Sequence, residues 1–237
     1  MRVRRAMVLA AGRGKRLRPL TDDRPKPLVA VAGRPLIDRV LDALAAAGVA
    51  ECVVNVRYRA EMIAAHLAAR RRPLVTLSPE TEPLETGGGV ARALAKLGSD
   101  PVFVVNADVL WDDAGTPALA RLAEAWRDDL DALLLLVPRA AALGYDGPGD
   151  FDRDPAGRLT RRREGATAAF VFAGVQILHP RLFAGAPEGA FSLNLLYDRA
   201  IAAGRARGLG HRGRWFHVGT PAAHAEAERR LAARRAG

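Results

Sequence analysis

The sequence is poor in cysteine, aromatic residues and long apolar runs, and each shortage excludes a class of function. Cys52 is the one cysteine among 237 residues, so the chain can form no internal disulfide and no cysteine-rich metal site. Aromatic residues make up 5% of the chain and do not interleave with its basic clusters, which argues against a nucleic-acid partner. Apolar runs fall short of the roughly 20 residues that span a bilayer. The basic N-terminus precedes no signal-peptide core. We therefore expect a soluble protein of the reducing cytoplasm with no membrane partner.

Lysine is also scarce, although the chain is basic. The net charge of +10 comes from 33 arginines and 3 lysines against 26 acidic residues. This balance is compatible with nucleic acid, anionic surfaces or phosphorylated substrates. Most arginines lie on predicted helix faces or at the C-terminus, where we expect water to solvate them. A lysine inside a motif therefore stands out, and Lys26 is such a lysine.

Strand-like and helix-like runs alternate through the first half of the chain. The apolar pattern predicts strands at 3–10, 52–56, 74–77, 102–105 and 132–137, and helices at 35–48, 60–69, 88–97 and 117–127. Such alternation is typical of an α/β fold with an open, mostly parallel, Rossmann-like sheet and helices on both faces.

The pattern changes after Pro138. A turn-rich stretch at 144–150 leads into a polar hairpin that ends near Arg163, followed by a strand at 168–178 and helices at 193–203 and 221–235. We interpret this half as a smaller, lid-like subregion of a single domain that spans residues 1–237.

A glycine-bearing loop follows the first predicted strand. Gly12 and Gly14 allow the backbone to approach a ligand closely, so successive N–H groups can cradle phosphate oxygens. Arg16 offers a planar fork for a pyrophosphate, and Lys26 offers a point charge between two prolines. An exposed turn with solvated arginines is the alternative, but the loop lies where open α/β sheets bind ligands. It lacks the Gly-Lys-Ser/Thr ending of a P-loop and the third glycine of a dinucleotide fold.

Residues 9–28 resemble the signature of sugar-phosphate nucleotidyltransferases, Gly-x-Gly-x-Arg-Leu-x-Pro-Leu-Thr followed by Pro-Lys-Pro-Leu. This resemblance implies that Arg16 holds the β and γ phosphates of a nucleoside triphosphate. It also implies that Lys26 neutralises the α-phosphate and the phosphate of an incoming sugar 1-phosphate. The same loop would supply further nucleotide-binding residues: Ala10, Ala11, Gly12, Gly14 and Lys15.

Leu84-Glu85-Thr86-Gly87-Gly88-Gly89 predicts a second glycine-rich loop, just before a helix. Taken alone, it is equally a capped helix start. It resembles the base-recognition loop of the same family, which implies nucleotide-binding roles for Glu85, Thr86, Gly87 and Gly88. Its form is particularly similar to the uridylyltransferases that act on N-acetylmuramate 1-phosphate in cell-wall recycling.

A carboxylate ends the strand predicted at 102–105. Asp108 lies at the same sheet edge as the first loop, and Mg²⁺ needs only one or two protein carboxylates when phosphate oxygens and waters complete its shell. Asp112 and Asp113 are nearby competitors, and a simple turn is the alternative role. The resemblance favours Asp108 as the Mg²⁺ ligand and places Asn106 in the nucleotide site.

The segment before the last predicted helix departs from the family. Where Trp-x-Asp-x-Gly-Thr is expected, with the aspartate as second metal ligand, this chain has His217. Imidazole is a poor partner for Mg²⁺ and suits softer ions. The metal then depends on Asp108 and the triphosphate alone, or the preferred metal differs, or activity has been lost. We favour the first of these because the other motifs are present.

The acceptor side is carried by short segments that resemble sugar-contacting parts of the family. Gly149, Asp150, Glu164 and Gly174 are the candidate substrate-binding residues. Each has an ordinary alternative as a turn residue, a surface charge or a strand glycine.

The resemblance implies that residues 1–137 bind the nucleotide and residues 138–237 bind the sugar phosphate. The expected reaction makes a nucleotide sugar from UTP and N-acetylmuramate 1-phosphate and releases pyrophosphate. A mannose-1-phosphate guanylyltransferase would share every phosphate-handling residue. A catalytically silent regulator that binds a nucleotide sugar is the alternative that His217 suggests. The expected oligomeric state is a monomer or a small homo-oligomer.

Overall fold

A mixed β-sheet forms the centre of the molecule in a computed structural model that describes residues 2–232. In chain order its strands are β1 (Arg5–Leu9), β2 (Glu51–Val56), β3 (Leu74–Pro79), β4 (Val102–Asn106), β5 (Ala132–Pro138), β6 (Phe151–Arg153), β7 (Leu159–Arg161), β8 (Phe170–Leu178) and β9 (Ala206–Gly210). The α-helices are α1 (Leu36–Ala46), α2 (Ala60–Leu67), α3 (Glu85–Leu97), α4 (Ala118–Ala125), α5 (Leu193–Ala202) and α6 (Pro221–Ala232).

The sheet is built around a run of neighbouring strands that are parallel to each other. The path β3-β2-β1-β4 is parallel throughout, and β9 pairs in parallel with β5. Strand β8 lies antiparallel between β4 and β5, and the hairpin β6–β7 pairs with the beginning of β8. The prediction of a mostly parallel α/β sheet is therefore confirmed, as is the polar hairpin near Arg163.

Helices cover both faces of this sheet because their apolar side chains recur on one side of each helix. On one face, α1, α2 and α4 bury residues such as Ile37, Ile63 and Leu122 against the strands. On the other face, α3 and α5 bury residues such as Val90 and Leu196. The predicted placement of helices on both faces is thus confirmed.

Two small sheets and one strand had no counterpart in the sequence prediction. Strand β9 extends the sheet beyond β5, and Ala30–Val31 pairs with Arg34–Pro35. Trp215–Phe216 pairs with Leu110–Trp111 on one side and with Ala142–Leu143 on the other. This second sheet brings the segment just before His217 next to the segment just after Asp108.

Most of the predicted helices begin and end within about three residues of the observed bounds. The difference that matters for function is at α3, which begins at Glu85, whereas the sequence predicted a helix from Gly88. The last helix was predicted to end at Arg235, and its final three residues lie outside the described part of the chain.

The one cysteine is buried in strand β2, and burial raises the pKa of the Cys52 thiol to about 12. Within residues 2–232, no helix combines the length and the apolar character needed to cross a membrane.

Candidate active site

A cavity of about 720 Å³ opens at the carboxyl ends of β1, β2, β3 and β4. Parallel strands point these ends toward one edge, so the loops that follow them meet there. A volume of this size is typical of small-molecule sites. Its lining includes these predicted nucleotide-site residues: Ala10, Ala11, Gly12, Gly14, Lys15, Arg16, Glu85, Thr86 and Asn106.

The loop after β1 is held in shape by its own backbone. Gly14 has φ +63°, a conformation that favours glycine, and it starts the short 3-10 helix Lys15–Leu17. The Thr21 hydroxyl donates a hydrogen bond to the Gly14 carbonyl at 3.0 Å. Leu17 is fully buried, whereas Lys15 and Arg16 are exposed and line the cavity. The loop therefore presents cations to the cavity while it is anchored by an apolar side chain.

Lys26 and Asp108 form an ion pair on the wall of this cavity. The Lys26 Nζ donates to Asp108 Oδ2 at 2.6 Å, and the two side chains are 13% and 36% exposed. A Cβ built on Gly14 would lie 2.8 Å from the Cβ of Lys26, so the glycine loop passes directly over the lysine. The structure thus brings Gly14, Lys26 and Asp108 together around one cavity.

The two competing aspartates near Asp108 are engaged elsewhere. Asp112 accepts hydrogen bonds from the Arg214 backbone and guanidinium, at 2.9 and 2.8 Å. Asp113 accepts from the backbone of Ala118 at the start of α4. Asp108 is therefore the one of the three whose carboxylate faces the cavity.

The residues around Asp108 fit a cation that is bound jointly with phosphate. Among residues 2–232 there is no group of three or more His, Cys, Asp or Glu side chains able to hold a metal by themselves. Mg²⁺ needs only one or two carboxylates when a triphosphate supplies further oxygens. Asp108 meets that requirement, and a metal cage built from protein alone does not exist in the described chain.

His217 lies close to this charged group. Its backbone N–H donates to the Leu143 carbonyl at 2.8 Å, and its ring packs edge-on against Tyr145. Burial lowers the pKa of the His217 imidazole, and the positive charges of Lys26 and Arg16 lower it further. Both effects favour the neutral form of the ring, which lies within electrostatic reach of Lys26 and Asp108.

The glycine-rich loop expected at 84–89 instead forms the beginning of α3, which corrects the sequence interpretation. The N–H groups of Gly87 and Gly88 donate to the Phe191 carbonyl at 2.8 and 3.2 Å. A Cβ on Gly88 would lie 2.2 Å from the Gly189 carbonyl oxygen. These two glycines are absent from the cavity lining and serve close packing against the segment before α5. Glu85, held at φ +57°, and Thr86 do line the cavity.

The sequence analysis missed several cavity residues, among them Asn55, Arg57 and Glu80. Asn55 accepts a hydrogen bond from the Ala10 backbone at 2.8 Å and donates to Glu80 Oε1 at 2.7 Å. Glu80 is only 7% exposed, an unusual state for a carboxylate. Polar residues at the ends of β2 and β3, after otherwise apolar runs, were the signal that could have found them.

The predicted acceptor residues are not brought together as a set. Asp150 is half-buried, accepts from the Phe172 backbone at 2.8 Å, and has its pKa raised by burial. Gly149 and Gly174 have positive φ and pack against Ala168 and Val109. Glu164 lies in an exposed turn. None of these four residues lines the cavity, although Asp150 interacts electrostatically with His217.

Comparison with known proteins agrees with this geometry. The chain matches the nucleotidyl transferase family over residues 5–164. It is 46% identical over 233 residues to the N-acetylmuramate alpha-1-phosphate uridylyltransferase of Caulobacter vibrioides, covering 96% of each chain. It is 38% identical over 220 residues to the protein of the same name from Neisseria meningitidis serogroup B, covering 91% of this chain and 93% of that one.

Among solved structures, the fold is similar to that of UDP-glucose pyrophosphorylase complexed with UDP-glucose. The TM-score is 0.81 at 15% identity, over 98% of this chain and 99% of the other. At this identity the likeness concerns the fold alone. Taken with the family match and the two long relatives, it identifies the chain as a member of the nucleotidyl transferase family and as a sugar-1-phosphate nucleotidyltransferase.

Proposed function

We propose that this chain transfers a uridylyl group from UTP to N-acetylmuramate 1-phosphate and releases pyrophosphate. The observation that carries the proposal is the Lys26–Asp108 pair beneath the Gly14 loop, in the same cavity as the buried Glu80 carboxylate. This arrangement offers a phosphate site, a cation site and a base site side by side. The substrate names follow from the relatives that share nearly the whole length of the chain.

The nucleotide would lie along the cavity from Glu80 to the glycine loop. Glu80 is fixed by the amide of Asn55, so its carboxylate is preorganised to accept a hydrogen bond from an N–H group of the base. At the other end, the cations Lys15 and Arg16 and the backbone around Gly12 can hold the β and γ phosphates. The ribose would then lie near Asn106.

In the proposed reaction an oxygen of the sugar 1-phosphate attacks the α-phosphorus of UTP. A new P–O bond forms, the bond between the α-phosphorus and the bridging oxygen breaks, and pyrophosphate leaves toward the glycine loop. No proton transfer and no covalent enzyme intermediate are needed, because the nucleophile is already an anion. Lys26 would lower the repulsion between the two phosphates, and the site would act mainly by positioning and charge compensation.

Asp108 is the residue that would hold a Mg²⁺ ion together with the triphosphate. When bound, such an ion offsets negative charge on the phosphate oxygens. The neutral His217 ring is a weak ligand for Mg²⁺, so we assign it to the acceptor side instead, beside Tyr145 and Asp150. Gly149, Glu164 and Gly174 would then act by shaping that side rather than by direct contact.

In this proposal, the first half of the chain binds the nucleotide and the second half binds the sugar phosphate. Residues 1–137 supply most of the cavity, and residues 138–237 supply Ser192 and Gly219 to it. We also propose that the enzyme works in the cytoplasm, where UTP is available, as a monomer or a small homo-oligomer.

A substrate panel tests the proposal. Purified protein is incubated with UTP, GTP, CTP or ATP, with Mg²⁺ and with N-acetylmuramate, N-acetylglucosamine, glucose or mannose 1-phosphate, and released pyrophosphate is measured. Fastest turnover with UTP and N-acetylmuramate 1-phosphate is expected. Preference for GTP and mannose 1-phosphate would replace the proposal with a guanylyltransferase.

A second candidate function rests on His217, which occupies the position where the family signature has a metal-binding aspartate. A protein that binds UTP and the nucleotide sugar without pyrophosphate release would be a silent regulator. Calorimetric binding of both ligands, combined with no turnover at any Mg²⁺ concentration, is the outcome that would favour it. Salt-sensitive binding to DNA or RNA would instead point to the nucleic-acid role that the charge alone allows.

A further inference from the structure

Arg57 lines the cavity, and its side chain has no hydrogen-bond or ion-pair partner among residues 2–232. It follows strand β2 directly, and its Nε atom is buried without a hydrogen bond. The guanidinium group of neighbouring Arg59, by contrast, donates to the Asp22 carbonyl. Because no described residue engages the Arg57 guanidinium group in a hydrogen bond or an ion pair, its donors on the cavity side remain available to a ligand that supplies an acceptor.

Arg57 and Glu80 directly follow two neighbouring parallel strands. In the parallel pair β2–β3, Asn55 aligns with Ser78 and Val56 with Pro79. Arg57 and Glu80 each follow the last paired residue of their strand, and the Glu80 backbone N–H still bonds to the Val56 carbonyl at 2.9 Å. Asn55, two residues before Arg57, donates to Glu80, and all three residues line the same cavity.

The side chains of Arg57 and Glu80 are not each other's partner. No ion pair within 4.0 Å joins them in the described part of the chain, although both line the cavity. A donor and an acceptor from neighbouring strand ends therefore line the same cavity as Lys15 and Arg16. Such a pair is complementary to a ligand edge that carries an acceptor next to a donor.

Nucleobases differ in this feature. Uracil presents its O4 acceptor beside N3–H, and guanine presents O6 beside N1–H, so both match a guanidinium next to a carboxylate. Cytosine and adenine present an amino donor beside a ring-nitrogen acceptor, which reverses the pattern. With either of these, Arg57 would face an N–H group and Glu80 a lone pair, and both would be left unsatisfied.

We propose that Arg57 is a specificity-determining residue that donates to the keto oxygen of the base whose adjacent N–H is accepted by Glu80. The site then selects keto bases against amino bases, while the choice between uracil and guanine depends on the size of the pocket. The inference rests on the proposed function only in that the ligand of the cavity is a nucleotide.

The test is a binding measurement on Arg57→Met, which keeps the aliphatic stem but removes the donors. Affinities for UTP, GTP, CTP, ATP and inorganic pyrophosphate are measured by calorimetry in the wild type and the variant. The matched control is Arg92→Met, which removes the same charge from an exposed site on α3. Arg57→Met should weaken the preferred keto nucleotide by about tenfold or more, since a charge-assisted hydrogen bond is lost. Binding of CTP, ATP and pyrophosphate should change less than about threefold, and Arg92→Met should match the wild type.

A second variant guards against a folding artefact. The amide of Arg57→Gln can present either a donor or an acceptor, so this variant should narrow the gap between UTP and CTP rather than abolish binding. Equal weakening of all four nucleotides and of pyrophosphate would overturn the proposal, because it would make Arg57 a phosphate ligand. Unchanged selectivity in both variants would overturn it too. Since binding is measured apart from turnover, a wild type that binds UTP selectively but makes no nucleotide sugar would refute the proposed reaction and leave this result standing.

Discussion

Lys26 has the most demanding position of any single residue in the site. It is mostly buried between two prolines, lies under the glycine loop, and donates to Asp108 at 2.6 Å. Burying the ammonium group of a lysine costs free energy unless nearby negative charges compensate it. Asp108 compensates the charge in part, and the phosphates of the two substrates would add further negative charge next to the ammonium group.

Lys26→Ala is expected to reduce turnover by about 10²–10³-fold, as the loss of a preorganised charge does in other sites. The rate of pyrophosphate release is the measurement, with circular dichroism to verify the fold. Lys96→Ala is the control, since Lys96 is exposed on α3 and bonds to the Leu77 carbonyl. Near-normal turnover of a folded Lys26→Ala protein would remove this residue from the mechanism.

His217 invites the reverse experiment, in which a carboxylate is added. His217→Asp would place a second acidic group among Lys26, Arg16 and Asp108, where the cations offset its charge. We expect the Mg²⁺ concentration for half-maximal turnover to fall severalfold, because carboxylate oxygens suit Mg²⁺ better than imidazole. His217→Asn, of similar size and without charge, should not lower it. If both variants respond alike to Mg²⁺, His217 lies outside the metal's reach.

At the scale of elements, the two glycine-rich segments, one after β1 and one at the start of α3, have different structural roles although they look alike in sequence. A Cβ on Gly12 would meet nothing within 4 Å, so this glycine leaves open space in the cavity. A Cβ on Gly88 would meet the Gly189 carbonyl, because α3 begins against the segment before α5. Open space favours ligand binding, whereas close packing favours stability.

This contrast predicts that a glycine-to-alanine substitution lowers stability at one position and nucleotide binding at the other. Gly88→Ala should lower the free energy of unfolding by about 1–3 kcal/mol, because the clash with a backbone oxygen outweighs the better helix propensity of alanine. Gly12→Ala should leave the free energy of unfolding within about 0.5 kcal/mol of the wild type but weaken UTP binding. Urea unfolding and calorimetry measure the two effects. Equal stability of the two variants would contradict the packing role given to Gly88.

Elements with a strong periodic pattern were predictable, and weakly patterned ones were not. Helix α1 was found because Ile37, Val40 and Leu41 recur on one face. Strand β9 was missed because Gly208 and Gly210 give it little strand propensity. The tertiary structure requires Gly208, since a Cβ there would lie 2.5 Å from Leu136 and 2.7 Å from Leu159. A contact of that kind cannot be read from local sequence.

At the scale of the whole molecule, Asp131 joins segments that are far apart in the chain. It lies just before β5, is 3% exposed, and accepts hydrogen bonds from Arg181 at 2.7 Å and from Arg205 at 2.6 Å. Burial alone would raise the pKa of the Asp131 carboxyl, but the two guanidinium groups outweigh it and hold the pKa below its ordinary value. The carboxylate thus fastens β5 to the segments that follow β8 and precede β9.

Asp131→Asn should lower the free energy of unfolding by about 2 kcal/mol at pH 7, because the charge-assisted hydrogen bonds are lost. Since the folded pKa is lowered, this contribution is fully present above the unfolded pKa of about 3.9 and is lost as the pH falls through the folded value. The gap between wild type and variant should therefore shrink below about pH 4, measured by urea unfolding. Asp129→Asn, at an exposed site, is the control and should change stability little. If the difference in free energy of unfolding between wild type and Asp131→Asn did not depend on pH, the stabilising role given to the ionised Asp131 carboxylate would be wrong.

The sequence by itself determined the alternation of strands and helices, the glycine loop with Arg16 and Lys26, and the strand-end Asp108. These depend on local chemistry: apolar periodicity, the freedom of glycine, and charges next to a turn. The tertiary structure alone decided that Gly87 and Gly88 pack against the segment before α5, that Asp112 bonds to Arg214, and that Arg57 and Glu80 line the same cavity. Those outcomes depend on which distant segments meet, because strand register and close packing bring together residues whose separation in the chain hides their contact.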